Sequence, residues 1–99
     1  MLSIISSPGA VVDDVATRVR ARRLEANLTQ VGLATRAGMS TASFKRFERT
    51  GLIAFDALVR VAFALGAEKE FGSLFPAQPY RSLDEVVDTR RRRKRGVLK

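Results

Sequence analysis

Apolar residues recur along the chain at steps of three and four, the spacing that places side chains on one side of an α-helix. The first such series runs from about residue 11 to residue 27 and contains Val12, Val15, Ala16 and Val19. It ends at Asn27, a residue type that tolerates the left-handed backbone at which helices often stop. The pattern predicts a first helix over about residues 11–27.

The ten residues before that helix are largely apolar but are interrupted by Pro8 and Gly9. We expect residues 1–10 to form an N-terminal arm, either frayed or paired as a short strand with another subunit. Asp13 and Asp14 would then lie in the first turn of the helix, where the helix dipole favours negative charge.

A second, shorter helix is predicted over about residues 30–37. Thr29 is a suitable N-cap for it, because a threonine hydroxyl can accept a hydrogen bond from a free backbone N–H of the first turn. Gly38 ends the helix. The residues predicted to face the core are Leu33, Ala34 and Ala37.

A third helix follows at once, over about residues 41–49, with Ser40 as its cap. Phe44 and Phe47 are three residues apart, so we expect them to point into the core together. The residues that this leaves for the surface are Thr41, Ala42, Ser43, Lys45, Arg46 and Arg49.

Two more helices complete the predicted domain. An apolar helix over about residues 54–65 ends at Gly66, and its predicted inward residues are Phe55, Leu58, Val61, Ala62 and Leu65. A short fifth helix is expected near residues 68–74, before Pro76.

The remainder of the chain reads as a linker and a basic tail. Residues 76–81 are predicted to be extended, and residues 82–85 have the capping-box pattern of a last helical segment with Leu83, Val86 and Val87 on one side. A basic run follows, formed by Arg90, Arg91, Arg92, Arg93, Lys94 and Arg95. Three interpretations remain open for this run: a solvated tail, an arm on the DNA backbone, or a docking segment.

The charge of the chain indicates a polyanionic partner, most simply nucleic acid. Its 99 residues include 18 Lys and Arg against 10 Asp and Glu, a formal net charge of +8. Residues 81–99 contribute +5 of this, so net charge alone does not establish that the folded part binds DNA.

Several classes of function are disfavoured by composition. The chain has no Cys and no His, which excludes a zinc finger, a thiol nucleophile and an imidazole base. We therefore expect no enzyme activity and no cofactor or metal. No apolar run approaches the ~20 residues that cross a bilayer, so we expect a cytoplasmic protein without a membrane partner.

The run Leu33-Ala34-x-x-x-Gly38-Met39-Ser40-x-x-x-Phe44-x-x-x-Glu48 resembles the helix-turn-helix of the lambda-repressor-like (Xre) family. The resemblance covers about residues 15–66. It implies an all-α, five-helix DNA-binding domain over residues 11–75, followed by the linker and basic tail of residues 76–99.

The resemblance also implies roles for individual residues on DNA. The residues it places at base edges are Arg46, Thr41 and Ala42, while Gln30 would hydrogen-bond a phosphate or reach a base. Arg46 is the first choice for sequence readout, since a guanidinium matches the two acceptors of guanine. Ala42 can at most pack on a thymine methyl group.

Other residues would hold the DNA backbone or the fold. Lys45 and Arg49 are expected to bind phosphates, and Ser40 and Ser43 to lie at the backbone, although Thr41 and Ser43 can equally be solvated. Arg23 and Glu48 occupy positions that the family joins in a structural salt bridge from the first helix to the third.

A closer resemblance comes from the segments around the helix-turn-helix. PheLysArgPheGluArgThrGly-x-Ile at 44–53, PheGlySerLeuPhePro at 71–76 and ProTyrArgSerLeuAspGluValVal at 79–87 look like the HipB-like antitoxins. This resemblance implies a homodimer on a palindromic operator that represses its own operon and restrains a HipA-like Ser/Thr kinase toxin.

Two alternatives stay open. One is a stand-alone repressor of phage or cellular origin, without a toxin partner. The other is a protein-interaction domain in which the helix-turn-helix no longer binds DNA, and the basic run argues against this last interpretation.

Overall fold

Helices account for the regular structure in the part of the chain that the computed structural model describes, residues 7–78. The elements are α1 (Pro8–Glu25), α2 (Gln30–Ala37), α3 (Thr41–Thr50), α4 (Phe55–Leu65) and a 3-10 helix (Glu68–Ser73). Over these residues the protein is all-α, as its apolar spacing predicts. The expected elements in residues 79–99, including the capping box and the basic run, lie outside the described residues.

The first helix begins three residues earlier than predicted. Ser7 caps it by accepting a hydrogen bond from the N–H of Ala10 (3.1 Å), and Pro8 stands at the first helical position. Proline suits that position because its φ is helical and its missing N–H would have no partner there. Residues 8–10 are therefore helical, and the interpretation of Pro8 as a break is wrong. The rest of the expected N-terminal arm, residues 1–6, lies outside the described residues.

The earlier start also moves the acidic pair of α1 out of its first turn, contrary to expectation. Asp14 instead forms a partly exposed ion pair with Arg18, one turn further along (2.9 Å). At the other end, Asn27 has the expected left-handed backbone, with φ 57°.

The two short helices agree with prediction to within one residue, and so do their caps. Thr29 Oγ1 accepts from the N–H of Gly32 (2.9 Å), and Ser40 Oγ accepts from the N–H of Ser43 (3.0 Å). Gly38, between the helices, has φ 69°. These local contacts fix where α3 begins relative to α2.

The core is built from all four α-helices. Its largest fully buried side chains are Leu33, Phe44, Phe47 and Val61. The two phenylalanine rings lie 6.0 Å apart between centroids, so α3 is held by two aromatic side chains that point inward together. α1 packs on α3, and α2 packs on both α3 and α4.

Phe55 is not part of the core, contrary to prediction. Its side chain is 62% exposed, whereas Val61 of the same helix is fully buried. Six residues turn an α-helix through ~240° beyond one full turn, so these two side chains cannot share a side. The Phe55 ring instead meets the ring of Phe71 edge to face, with centroids 5.8 Å apart.

The predicted fifth helix is present as the 3-10 helix, which packs on α4. None of the helices described for residues 7–78 has the length and apolar character needed to span a membrane.

Candidate nucleic-acid interface

The surface of α3 that faces away from the core carries its basic residues. We define the outer face of α3 as Thr41, Ala42, Lys45, Arg46 and Arg49. Thr41 is half-buried and the other four are exposed. Within residues 7–78 the side chains of the three basic residues form no ion pair and no hydrogen bond. Their charges are therefore available to an outside partner.

Two hydroxyl groups lie at the N-terminus of the same helix. Ser40 Oγ accepts from the backbone N–H of Ser43, and its own O–H donates to Ser43 Oγ (2.8 Å). The Ser43 hydroxyl is thus an acceptor inside the protein and keeps its own hydrogen for another acceptor. A phosphate oxygen is a chemically suitable acceptor at that position.

A buried ion pair holds α3 from the inside. Arg23 of α1 donates through Nε to Glu48 Oε2 (2.7 Å) and through Nη2 to Glu48 Oε1 (3.1 Å). The two side chains are only 9% and 5% exposed, and Arg23 Nη1 donates to the carbonyl of Leu28 (2.9 Å). The salt bridge that the family resemblance implies is present, and it joins α1, the α1–α2 loop and α3.

Gln30 belongs to this inner network. Its Nε2 donates to Glu48 Oε1 (2.9 Å), the oxygen that also accepts from Arg23. The side chain is half-buried. The structure therefore places Gln30 beside the buried ion pair.

Arg60 of α4 is a further basic residue at the helix-turn-helix, and the sequence did not single it out. Its Nε donates to the carbonyl of Ala37, the last residue of α2 (2.8 Å), and its Nη1 donates to Asp56 (3.0 Å). The Asp56–Arg60 spacing of four residues indicates a pair on one helix face. The contact to Ala37 depends on how α4 packs on α2, so no pattern along the chain could reveal it.

Arg60 and Arg46 line the same half-open cavity of about 380 Å³, together with Ser43 and several apolar residues. The cavity thus brings residues of α3 and α4 together at one surface. Arg22 of α1 pairs with Glu70 of the 3-10 helix (2.9 Å), and this hydrogen bond, with the charge of Glu70, raises the pKa of Arg22.

Within residues 7–78, positive charge is concentrated in the first three helices. Residues 7–53 contain 8 basic and 4 acidic residues, whereas residues 54–78 contain 2 and 3. The part of the fold that carries α3 is therefore attractive to a polyanion, and the part formed by α4 and the 3-10 helix is nearly neutral. No group of three or more potential metal ligands occurs among the described residues.

Comparison of the chain with protein-family models, with curated proteins and with solved structures gives no match in any of the three.

Proposed function

We propose that this protein is a sequence-specific DNA-binding repressor with a lambda-repressor-like fold. In it, α3 is the recognition helix in the major groove and α2 braces it against the backbone. The observation that carries the proposal is the outer face of α3, whose three basic side chains form no ion pair within residues 7–78. The buried ion pair between Arg23 and Glu48 holds this helix to α1 from its inner side.

The dimensions of α3 are suitable for this role. An α-helix with its side chains is ~10–12 Å in diameter, which fits a major groove that is ~12 Å wide. Its inner side is fixed by Phe44, Phe47 and Glu48, so its outer side chains meet the groove in a defined orientation. Rigid placement favours readout because each hydrogen bond then costs less conformational entropy.

The residues of the outer face of α3 divide between contacts to DNA bases and contacts to phosphates. Arg46 reads a guanine through a bidentate pair of hydrogen bonds, with Thr41 and Ala42 beside it. Lys45 and Arg49 bind phosphates, as do the hydroxyl groups of Ser40 and Ser43. Gln30 positions Glu48 from within the domain.

Two copies on a palindromic operator form the functional unit. A single domain of this size reads few base pairs, so useful affinity requires two half-sites about one helical turn apart. The resemblance of segments 44–53 and 71–76 to HipB-like antitoxins supports a role in repressing its own operon in the bacterial cytoplasm. It also supports binding and restraint of a HipA-like kinase toxin.

The proposal is tested by selecting DNA from a random library with the full chain and measuring affinity for the selected and for random sequence. We expect Arg46→Ala to lose about 1–3 kcal/mol on the selected sequence and little on random DNA. Arg20→Ala is the matched control, because it removes the same charge from an exposed site on α1. An equal loss on both DNAs would make Arg46 a phosphate contact, and failure to select any sequence would refute the proposal.

The basic run is tested separately. Deleting residues 90–99 should flatten the salt dependence of DNA binding if this segment holds backbone phosphates. An unchanged slope would instead favour a docking segment or a solvated tail.

The partner is tested by co-expression with any kinase-like protein encoded beside this gene. Co-purification of the two proteins supports the antitoxin role. Without such a neighbour or complex, the protein is a stand-alone repressor.

A further inference from the structure

The half-open cavity between α3 and α4 combines apolar walls with positive charge. Its apolar lining residues are Met39, Leu52, Ile53, Ala54 and Ala57. Its other lining residues are Ser43, Arg46 and Arg60, so no acidic side chain borders it. Its volume of about 380 Å³ lies within the range of ~300–1,000 Å³ that is typical of binding cavities. Such a cavity fits a partner that carries apolar side chains next to negative charge.

The polar groups of this cavity retain hydrogen-bond donors. The side chain of Arg46 forms no ion pair and no hydrogen bond within residues 7–78. The Ser43 hydroxyl accepts from Ser40 and keeps its own hydrogen. Arg60 donates through Nη1 to Asp56, but its Nη2 forms no bond in the described part of the chain. A carboxylate in the cavity therefore meets one unpaired guanidinium and further donors.

A segment of the same chain has the complementary chemistry. Residues 82–88 contain three acidic residues and no basic one, and they lie outside the described residues. The acidic residues are Asp84, Glu85 and Asp88. The apolar residues are Leu83, Val86 and Val87, a spacing that predicts one shared side of a helical turn. The segment thus offers apolar side chains and carboxylates within seven residues.

The chain tethers this segment within reach of the cavity. Phe71 of the 3-10 helix meets Phe55 edge to face, with ring centroids 5.8 Å apart, so that helix lies against the start of α4. Ala54 and Ala57 line the cavity from the same end of α4. The connection is residues 74–82, and nine residues span at most ~30 Å. A short link gives an effective concentration in the millimolar range, at which a weak contact is populated.

We propose that residues 82–88 dock in the cavity between α3 and α4. Their apolar side chains cover its walls, and a carboxylate pairs with Arg46. The basic run that begins at Arg90 opposes this contact only weakly, because exposed charges more than ~8 Å apart are largely screened at physiological salt. The contact therefore depends on the three carboxylates and not on the net charge of the tail.

Docking has a consequence for DNA binding that rests on the proposed function. Arg46 and Ser43 are covered in the docked state and cannot contact a base or a phosphate. The apparent affinity for DNA then falls with the fraction of molecules whose outer face of α3 is open. Residues 82–88 thus compete with DNA for the same side chains.

The contact is tested without DNA, by paramagnetic relaxation in the full chain. The chain has no cysteine, so Thr89→Cys supplies a unique site for a nitroxide label next to the segment. We expect the label to weaken the amide signals of Ser43, Arg46 and Ala57. The same label at Lys99→Cys is the matched control and should leave these signals stronger.

A neutral-segment variant completes this test, and it combines Asp84→Asn, Glu85→Gln and Asp88→Asn. In this variant the label at position 89 should no longer weaken the signals of the cavity. Signals that stay unaffected in the original chain, or that weaken equally in the variant, would overturn the inference. So would weakening at a different surface. Because no DNA is present, such a failure is distinct from failure of the DNA selection, which tests the proposed function.

The competition is tested by the affinity of the neutral-segment variant for the selected DNA. Its matched control combines Asp13→Asn, Glu25→Gln and Glu68→Gln, which change the net charge equally at residues without an ion pair within residues 7–78. We expect the neutral-segment variant to bind about 2- to 10-fold more tightly than this control, the range for a docked fraction of about half to nine-tenths. Equal affinities would overturn the competition with DNA.

Discussion

Arg22 and Arg23 are neighbours in α1, yet they hold two very different junctions. Arg23 faces α3 and donates to Glu48 and to the carbonyl of Leu28, all within a buried site. Arg22 faces the 3-10 helix and pairs with Glu70 in a site where the two side chains are 42% and 67% exposed. The ion-pair distances are nearly equal, at 2.7 and 2.9 Å, so burial is what separates the two pairs.

The difference shows which junction the fold depends on. Removing one member of a buried pair leaves the other charged and without water, whereas an exposed pair is replaced by hydration and screened by salt. The α1–α3 junction should therefore be strong and independent of salt. The junction of α1 with the 3-10 helix should be weak.

The largest effect is expected for Arg23→Ala, which leaves Glu48 buried without its partner. We expect a loss of about 3–5 kcal/mol in the free energy of unfolding. Urea denaturation measures it, with Arg22→Ala as the control from the adjacent position. Unchanged stability together with lost DNA binding would show that Arg23 acts on DNA and that the comparison is wrong.

Gly51→Ala extends the comparison to the backbone of the same junction. Gly51 has φ 81°, and a Cβ there would lie 3.0 Å from the carbonyl oxygen of Val12 in α1. Left-handed strain and the steric contact together should cost about 2–4 kcal/mol.

Gly66→Ala is the matched control, since φ is 73° at Gly66 and a Cβ would meet nothing within 4 Å. It should cost only the strain, about 1–2 kcal/mol. Equal losses in the two variants, measured by urea denaturation, would show that α1 and α3 are less closely packed than their distance indicates.

Gln30→Ala tests the outermost member of the buried network. Loss of the hydrogen bond to Glu48 should cost about 1–2 kcal/mol, less than Arg23→Ala because the ion pair remains. Thermal melts without DNA measure this directly. If stability is unchanged and only DNA affinity falls, Gln30 is a DNA contact, as the family resemblance implies.

The smallest effect is expected for Arg22→Ala. We expect an unfolding midpoint within experimental error of the original protein, and any difference at low ionic strength should vanish as salt is added. A large loss that persists at high salt would show that the two junctions are equivalent.

The sequence predicts best those features that neighbouring residues decide. Thr29, Ser40 and Gly38 bound α2 and α3 through contacts within a few residues, so their pattern along the chain is sufficient. Phe44 and Phe47 are buried as their spacing predicts.

The errors have two sources, a residue type that suits two local structures and packing against residues distant along the chain. Pro8 suits either a break or a helix start, and the Ser7 cap decides between them. Phe55 belongs to an apolar helix, but which side of α4 is covered depends on the packing of α2. Two contacts could not be indicated by the sequence at all: Gln30 and Arg60 have their partners 18 and 23 residues away, distances at which no periodicity operates. The expected DNA contact of Gln30 stays a prediction.

The side chains on the outer face of α3 take no part in the hydrogen bonds and ion pairs of residues 7–78. This has a consequence for which substitutions the domain can accept. Because the side chains of Lys45, Arg46 and Arg49 form no ion pair and no hydrogen bond within residues 7–78, exchanging them should shift stability by no more than about 0.5 kcal/mol. New side chains can therefore be tried at these three positions, by natural variation or by a protein engineer, on a scaffold that tolerates them all. A library randomised at these sites alone should therefore yield mostly folded members, and under the proposed function these members would differ in their preferred DNA sequence.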